Sequence, residues 1–352
     1  MTERRRWSDH PLVQLTRVRY REFFREPEAV FWVFVFPVLL AAGLGIAFRN
    51  RSPERTVVGV VGNGPVAADI VEALRRDSSL VASSMSDSAG VEALRTGDVA
   101  LLVVPLADGK VEFRYDDTRP ESRSARLLVD DGLQRASGRR DPVMVADRVV
   151  RERGARYIDF LVPGLLGMNL MGSGIWGLGF AIVDARKKRL LKRLIATPMA
   201  RWQYLTSFVL SRLTLLVLEV GLLLGFGVLV FGVPLRGSLP LLLLICLLSS
   251  LAFASLGLLI ASRAQTMEGA SGLMNLVMLP MWIFSGVFFS AARFPEPIQP
   301  LIQALPLTAV IDALRANILR GAGWHSLTGE LAIIVVWMVG SFVLALKLFR
   351  WR

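Results

Sequence analysis

One carboxylate stands where a charge is costly. Glu219 is the single charged residue of the apolar run Leu213–Leu235, and Arg212 lies two helical turns before it, on roughly the same face. An unpaired carboxylate in hydrocarbon is expensive, so Glu219 is expected to face the protein interior, water or a partner. Two roles fit it: a hydrogen-bond tie between helices, or a polar element of a conduit or gate. Asn169 and Asn275, in other apolar runs, are candidate partners, whereas Asp159 and Asp312 fall outside the runs as solvated or capping groups. Other chemistry-bearing residues are scarce. Cys246 is the only cysteine, which excludes an intramolecular disulfide framework and any multi-cysteine zinc or iron–sulfur centre. His10 and His325 are too far apart in sequence to suggest a histidine metal site. With no His, Cys or paired-carboxylate constellation near the apolar runs, no catalytic residue is assigned and a membrane enzyme is disfavoured.

Two spellings are to be rejected and one segment retained. Gly172-Ser-Gly174-Ile-Trp-Gly177 matches a dinucleotide-binding loop in letters only, since it lies inside an uncharged apolar run and not between a strand and a helix. Close helix packing explains it better, with Ser173 and Gly177 at small-xxx-small spacing. No G-x-x-x-x-G-K-[ST] occurs, so the chain has no P-loop of its own. The retained segment is DARKKRLLKRLIATPM (Asp184–Met199). Arg186 and Arg193 sit among apolar Leu190, Leu191, Leu194 and Ile195, and Ala196-Thr197-Pro198 ends the helix. An orientation signal needs charge but not an apolar stripe. A stripe between basic flanks suits a short helix that docks on a cytoplasmic partner.

These residues need spanning helices to position them. Hydrophobic residues make up 53% of 352, charged residues 20%, and mean hydropathy is +0.50, which excludes a disordered chain and argues for a membrane protein. A span needs about 20 apolar residues. Six runs qualify: Val30–Phe48, Phe160–Val183, Leu213–Leu235, Leu239–Ser262, Gly269–Ala292 and Leu331–Leu346, the last extended by Lys347 snorkelling. A cleavable signal peptide is the competing reading of the first run, which begins late for one. Lysines and arginines number 19 in Arg4–Arg25, Arg186–Arg212, Arg263 and Lys347–Arg352, against Arg236, Arg293, Arg315 and Arg320 on the opposite side. The positive-inside bias therefore predicts cytoplasmic termini in a multi-pass protein of the plasma (inner) membrane. The net charge of +12 gathers at the edge where anionic lipid sits; no basic groove with interleaved aromatics suggests nucleic acid.

The expected organisation is a cytoplasmic region 1–29 with an interfacial amphipathic helix (Pro11–Glu26), a first transmembrane helix at 30–48, and an extracytoplasmic α/β domain at 49–157. A five-helix membrane domain at 158–352 follows, with a cytoplasmic loop at 184–204 and short helices at 293–330 that dip into or cap the outer leaflet. In the inserted domain, Thr56–Gly62, Val99–Val104 and Val111–Tyr115 read as strands. Helices are expected after Asn63-Gly64-Pro65, from Ser86 to Gly97, from Thr118-Arg-Pro-Glu121 towards Ala136, and from about Pro142. Overall this is an α-helical membrane protein of six spans with an α/β domain inserted between the first and second.

The order of spans, REFFREPEAVFWVFVFPVLL (Arg21–Leu40), the stretch Tyr157–Arg201, FPEPIQPLIQALPLTAVIDALR (Phe294–Arg315) and the sixth span resemble the permease subunits of the ABC type-2 exporter family, most closely its antibiotic and drug efflux branch. The likeness runs over almost the whole chain. It implies a permease that moves an amphipathic drug, antibiotic or lipid-like compound outward, paired with a second permease copy or homologue. It also implies that the helix ending in Ala196-Thr197-Pro198 couples to a separate ABC ATPase, which would bind ATP and Mg while this chain binds no cofactor. Many members carry an acidic residue and Gly-Thr in that helix; here Lys187, Arg189 and Leu190 replace them. The alternative is a membrane-anchored ligand-binding or sensory protein that uses the external domain and needs no ATPase.

Overall fold

The computed structural model describes residues 11–48, 55–106, 109–140, 143, 154–187, 201–264 and 266–348, with side chains described outside 11, 185–187 and 201–209. It divides into two compact units, 50–150 and the remainder.

The helical unit begins with α1 (Pro11–Arg25), joined through Glu26 to the continuous helix α2 (Pro27–Ala47). Phe31–Val35 of α2 is π-helical, directly before Pro37. Proline has no N–H to donate to the carbonyl four residues back, and a wider turn is one way for a helix to accommodate it.

The inserted unit is a four-stranded sheet with helices on both faces. Its elements run β1 (Thr56–Val61), α3 (Pro65–Arg75), β2 (Leu80–Met85), α4 (Asp87–Thr96), β3 (Leu101–Pro105), β4 (Val111–Arg114) and α5 (Pro120–Ala136), in spatial order β2-β1-β3-β4. The first three strands are parallel and β4 is antiparallel to β3. Alternation assigns the faces. Val58, Val60, Leu101 and Val103 pack under α3 and α5 with Val71, Leu74, Ala125 and Val129. Gly59 and Leu102 point the other way, where Gly90 of α4 lies close enough that an added Cβ would touch Leu102. Ser86 caps α4 by accepting from the Ala89 N–H (3.3 Å), and Gly97 ends it with φ +85°. Two sequence expectations need correction. Strand β2 was missed, because Leu-Val-Ala-Ser-Ser-Met is a polar edge strand with weak alternation. Helix α5 starts at Pro120 without a side-chain cap, since the Thr118 hydroxyl donates to Asp116 instead. The helix expected from Pro142 lies outside the described residues apart from Val143.

Back in the helical unit follow α6 (Tyr157–Lys187), α7 (Arg201–Phe231), α8 (Leu239–Arg263), α9 (Met267–Phe284), the short α10 (Gln299–Gln303), α11 (Pro306–Arg320) and α12 (Thr328–Leu348). Among the described residues, five segments are long and apolar enough to cross a membrane: α2, Tyr157–Asp184, Leu210–Phe231, α8 and Trp324–Leu348. The bent pair Glu296–Gln303 and Pro306–Arg320, broken by 83°, would make a sixth by composition. The expected fifth span, Gly269–Ala292, is helical only to Phe284 and falls outside that set.

Contacts among the helix ends show what α9 does. The Phe48 and Tyr157 rings meet at 4.4 Å, Arg156 donates to the Gly232 carbonyl, the Arg236 N–H donates to the Ile318 carbonyl, and Arg315 donates to the carbonyls of Phe160 and Gly286. The end of α2, the start of α6, the ends of α7 and α9, the start of α8 and the end of α11 therefore gather at one end of the bundle. Helix α8 leaves that end and α9 returns to it, covering about 27 Å in 18 residues. The hairpin α10–α11 dips in from the same end. Leu307 and Ile311 lie against Gly167, deeper along α6 than the Phe160 contact of Arg315. At the bend, the Ala304 carbonyl accepts from Trp337 Nε1 (2.8 Å), about 13 Å into α12.

Helix α6 is the hub. Leu161, Leu165, Leu166, Leu170, Met171 and Ile175 are fully buried, and α2, α7, α8, α9 and α11 all pack on it. Its crossing with α8 is backbone-close: a Cβ on Gly257 would sit 2.6 Å from the Ile175 carbonyl, and one on Gly174 2.7 Å from the Phe253 Cβ. Close packing of small residues is therefore present, but through Gly174 and Gly257. Gly177 is exposed with open space beside it, and Ser173 is used for hydrogen bonding.

Candidate functional site

Several polar residues of the helical unit form ties between helices, and α6 takes part in most of these. Ser173 and Asn169 are one turn apart on α6 and so share a face. Ser173 lies opposite Glu219 of α7, which is 2% exposed. The Ser173 hydroxyl donates to Glu219 Oε2 (3.0 Å), Arg212 Nη1 donates to Glu219 Oε1 (3.3 Å), and Arg212 Nη2 donates to the Ser173 hydroxyl (2.8 Å). The three groups close a triangle. The two-turn spacing of Arg212 and Glu219 thus becomes a contact, and the carboxylate is paired and hydrogen-bonded, as a buried charge must be.

The two asparagines are not partners of Glu219. Asn169 Nδ2 donates to the Val33 carbonyl of α2 (3.1 Å). In the i→i−4 register that is the carbonyl which Pro37 cannot serve, so the asparagine of one helix donates to the backbone of another where its helical bonding is disturbed. Asn275 is exposed on α9, because the buried stripe of that helix is Ala270, Met274, Met278 and Met281 and Asn275 lies about 100° off it. Helix α9 is apolar on both sides, so its sequence does not reveal which side packs.

Of two groups at the gathered end, Asp159 takes the capping alternative of its sequence reading and Arg315 was missed. The Asp159 carboxylate is fully buried, accepting from the N–H groups of Gly154 and Arg156 and from the Arg156 guanidinium (2.8 and 2.9 Å). It therefore caps α6 and is not solvated, and its hydrogen bonding raises the Arg156 pKa above the ordinary value. Asp312, by contrast, is exposed on α11. Arg315 lies over the Phe160 ring, 3.5 Å from its centroid, while donating to Phe160 and Gly286. It clamps the hairpin to α6 and α9. The sequence marked it only as a basic residue on the side opposite the arginine-rich segments; its three contacts were not legible.

Of the expected coupling residues, Arg186 falls in the last turn of α6, with its side chain not described. Leu190, Leu191, Arg193, Leu194, Ala196, Thr197 and Pro198 lie outside the described residues. What the structure does place is their setting: 188–200 joins α6 to α7, the two helices tied by Ser173, Arg212 and Glu219. Among the described residues, no three His, Cys, Asp or Glu side chains gather in a way that could hold a metal ion.

Apolar helices of spanning length around a buried hub, joined by polar ties, define a multi-pass helical membrane protein. The chain belongs to the ABC-2 family of transporter proteins, whose family model matches residues 28–347. It is similar to the inner membrane transport permease YhhJ of Escherichia coli (strain K12), 27% identical over 49% of this chain and 46% of that protein. The chain thus aligns with about half the length of that relative. It is also similar to the probable multidrug ABC transporter permease YbhS of the same organism, 22% identical over 96% of this chain and 97% of that one. ABC transporter G family member 20 of Dictyostelium discoideum is 26% identical over 66% of this chain and 33% of its own length.

Proposed function

We propose that the chain is the permease subunit of an ATP-driven exporter in the plasma (inner) membrane, working with a separate ABC ATPase and a second permease copy or homologue. Its cargo would be an amphipathic compound of drug, antibiotic or lipid-like character. The observation that carries this reading is the family match across the helical unit and its insertion together. Two similarities support the finer points: one full-length relative is named a probable multidrug permease, and another an inner membrane permease. The Ser173–Arg212–Glu219 triangle supplies a route for coupling. A force on the 188–200 segment reaches α6 and α7, and the triangle makes the two helices respond as one lever. ATP chemistry belongs to the partner, whose differential affinity for two permease conformations would drive the cycle. The inserted α/β unit and the hairpin end would face outward.

The test targets the segment itself. Leu191→Ser with Leu194→Ser removes the apolar strip while keeping the arginines, and is expected to insert normally but to lose ATPase co-purification and export. Arg186→Gln with Lys187→Gln keeps the strip and should weaken co-purification less at moderate salt, because exposed charge pairs contribute little there. Wild-type recovery of an ATPase by the serine variant would refute docking at this loop. Failure of the wild-type chain to recover any ATPase would refute the exporter reading.

A further inference from the structure

Helix α1 presents a row of arginines that the transport reading leaves unused. Leu12, Val13, Leu15, Thr16, Tyr20 and Phe23 are buried or half-buried where α1 packs along α7. Arg17, Arg21 and Arg25 are exposed, spaced four residues apart, so they form one line about 12 Å long on the opposite side of the helix. Val18 (48% exposed) and Phe24 (55%) flank that line.

The height of the row is fixed by aromatic contacts. Only Glu26 separates α1 from α2, and the Phe23 ring meets Phe34 of α2 edge-on at 5.9 Å. Helix α1 therefore lies folded beside the opening turns of the first apolar helix. Those turns expose Phe31 (40%) and Trp32 (60%) outward, as an aromatic belt does at the headgroup level. Arginines on an exposed face at that height, bordered by apolar side chains, have lipid phosphates within reach of a snorkelling guanidinium.

We infer that Arg17, Arg21 and Arg25 form a binding face for anionic phospholipid. The occupant is the membrane surface and not a cytoplasmic protein, because the row is continuous with the belt of Phe31 and Trp32 and because exposed Val18 and Phe24 would enter acyl chains. Each arginine near an anionic surface strengthens attraction about fivefold, so three in register should select charged over zwitterionic headgroups by up to about a hundredfold. The inference uses the helical membrane unit and not the exporter reading, and it holds whether or not an ATPase binds.

The full-length protein would be purified in mixed micelles holding equal amounts of phosphatidylglycerol and phosphatidylcholine, washed, and its retained lipids quantified. Wild type should be enriched in phosphatidylglycerol. Arg17→Gln/Arg21→Gln/Arg25→Gln should fall to the input ratio, and the corresponding triple lysine variant should keep most of the enrichment. A control with equal charge loss in the inserted unit, Arg76→Gln/Arg123→Gln/Arg126→Gln, should match wild type. Inorganic phosphate at millimolar concentration should not displace the lipid; displacement would mean a free-phosphate site and overturn the proposal. Unchanged enrichment in the glutamine variant would overturn it too, as would loss of a co-purifying protein with the lipid ratio intact. If the glutamine variant fails to insert, the three single variants decide: each must lower the enrichment.

Discussion

Glu219 has no aqueous escape, so its substitutions report on its partners. Glu219→Leu leaves the Ser173 hydroxyl and the Arg212 guanidinium without their acceptor, and breaking one side of a buried pair costs about 3–5 kcal/mol. Glu219→Gln keeps an acceptor for Arg212, and its amide N–H can donate to the Ser173 hydroxyl, so both partners stay hydrogen-bonded. The glutamine variant is expected to purify near wild-type yield in mild detergent, with a thermal midpoint within a few degrees. The leucine variant should lose most of its yield. Equal behaviour of the two would show that the triangle carries no energy. Asn169 allows a sharper test, because its role follows from a second residue. Asn169→Leu strands the Val33 carbonyl only while residue 37 is proline. In a Pro37→Ala background an N–H becomes available to that carbonyl, so the cost of Asn169→Leu should drop from about 1–3 kcal/mol towards zero. The readout is the coupling energy of a double-mutant cycle on thermal unfolding; additive effects would rule out the complementation.

At the scale of elements, the crossing of α6 and α8 depends on two missing side chains. Gly257→Val would drive a branched side chain into the Ile175 carbonyl, and backbone cannot rotate out of the way as a side chain can. Overpacking costs about 1–3 kcal/mol even where side chains can adjust, so at least that loss is expected, with a lowered thermal midpoint. Gly177→Val, on the same stretch of α6 but facing open space, should be nearly neutral. The contrast explains what the sequence could and could not disclose. That small residues in Gly172–Gly177 serve packing was readable from their apolar surroundings. Which of them packs was not, because a helix that is apolar all round has no preferred face to find. The same ambiguity misplaced Asn275. The charges were more informative: a carboxylate in an apolar run has so few tolerable surroundings that its arginine two turns away was foreseeable. Strand β2 failed for the opposite reason. Its alternation is diluted by Ser83 and Ser84, and only pairing with β1 makes Leu80–Met85 a strand. Short helices were expected from the prolines between Phe294 and Pro306, whereas their pairing at an 83° bend and the Trp337 bond that seats it are tertiary facts.

For the whole molecule, the decisive quantity is the number of crossings, because it fixes whether the two ends of the helical unit lie on one side. Composition alone gives five among the described residues, with the bent hairpin as a candidate sixth. The contacts at the gathered end give that place to α9 instead: α9 must run the length of the bundle for the Gly286 carbonyl to meet Arg315, and the hairpin then enters and leaves at the same end. With the basic residues concentrated at the opposite end, that end should be cytoplasmic, along with both termini. The chain has one cysteine, and it is buried, so Cys246→Ser gives a clean background for labelling with an impermeant maleimide. Three exposed positions separate the possibilities. Ser84→Cys, on β2 of the inserted unit, should label in intact cells. Glu268→Cys, at the start of α9, should label only after lysis. Ala292→Cys, between α9 and the hairpin, should behave as Ser84→Cys does if α9 crosses and as Glu268→Cys does if it does not. Labelling of Ala292→Cys only after lysis would reduce the crossings to five and would place the C-terminal end opposite the N-terminal one. The basic residues Lys347–Arg352 would then face outward, against the charge bias, and the hairpin would lie on the side where the ATPase is expected.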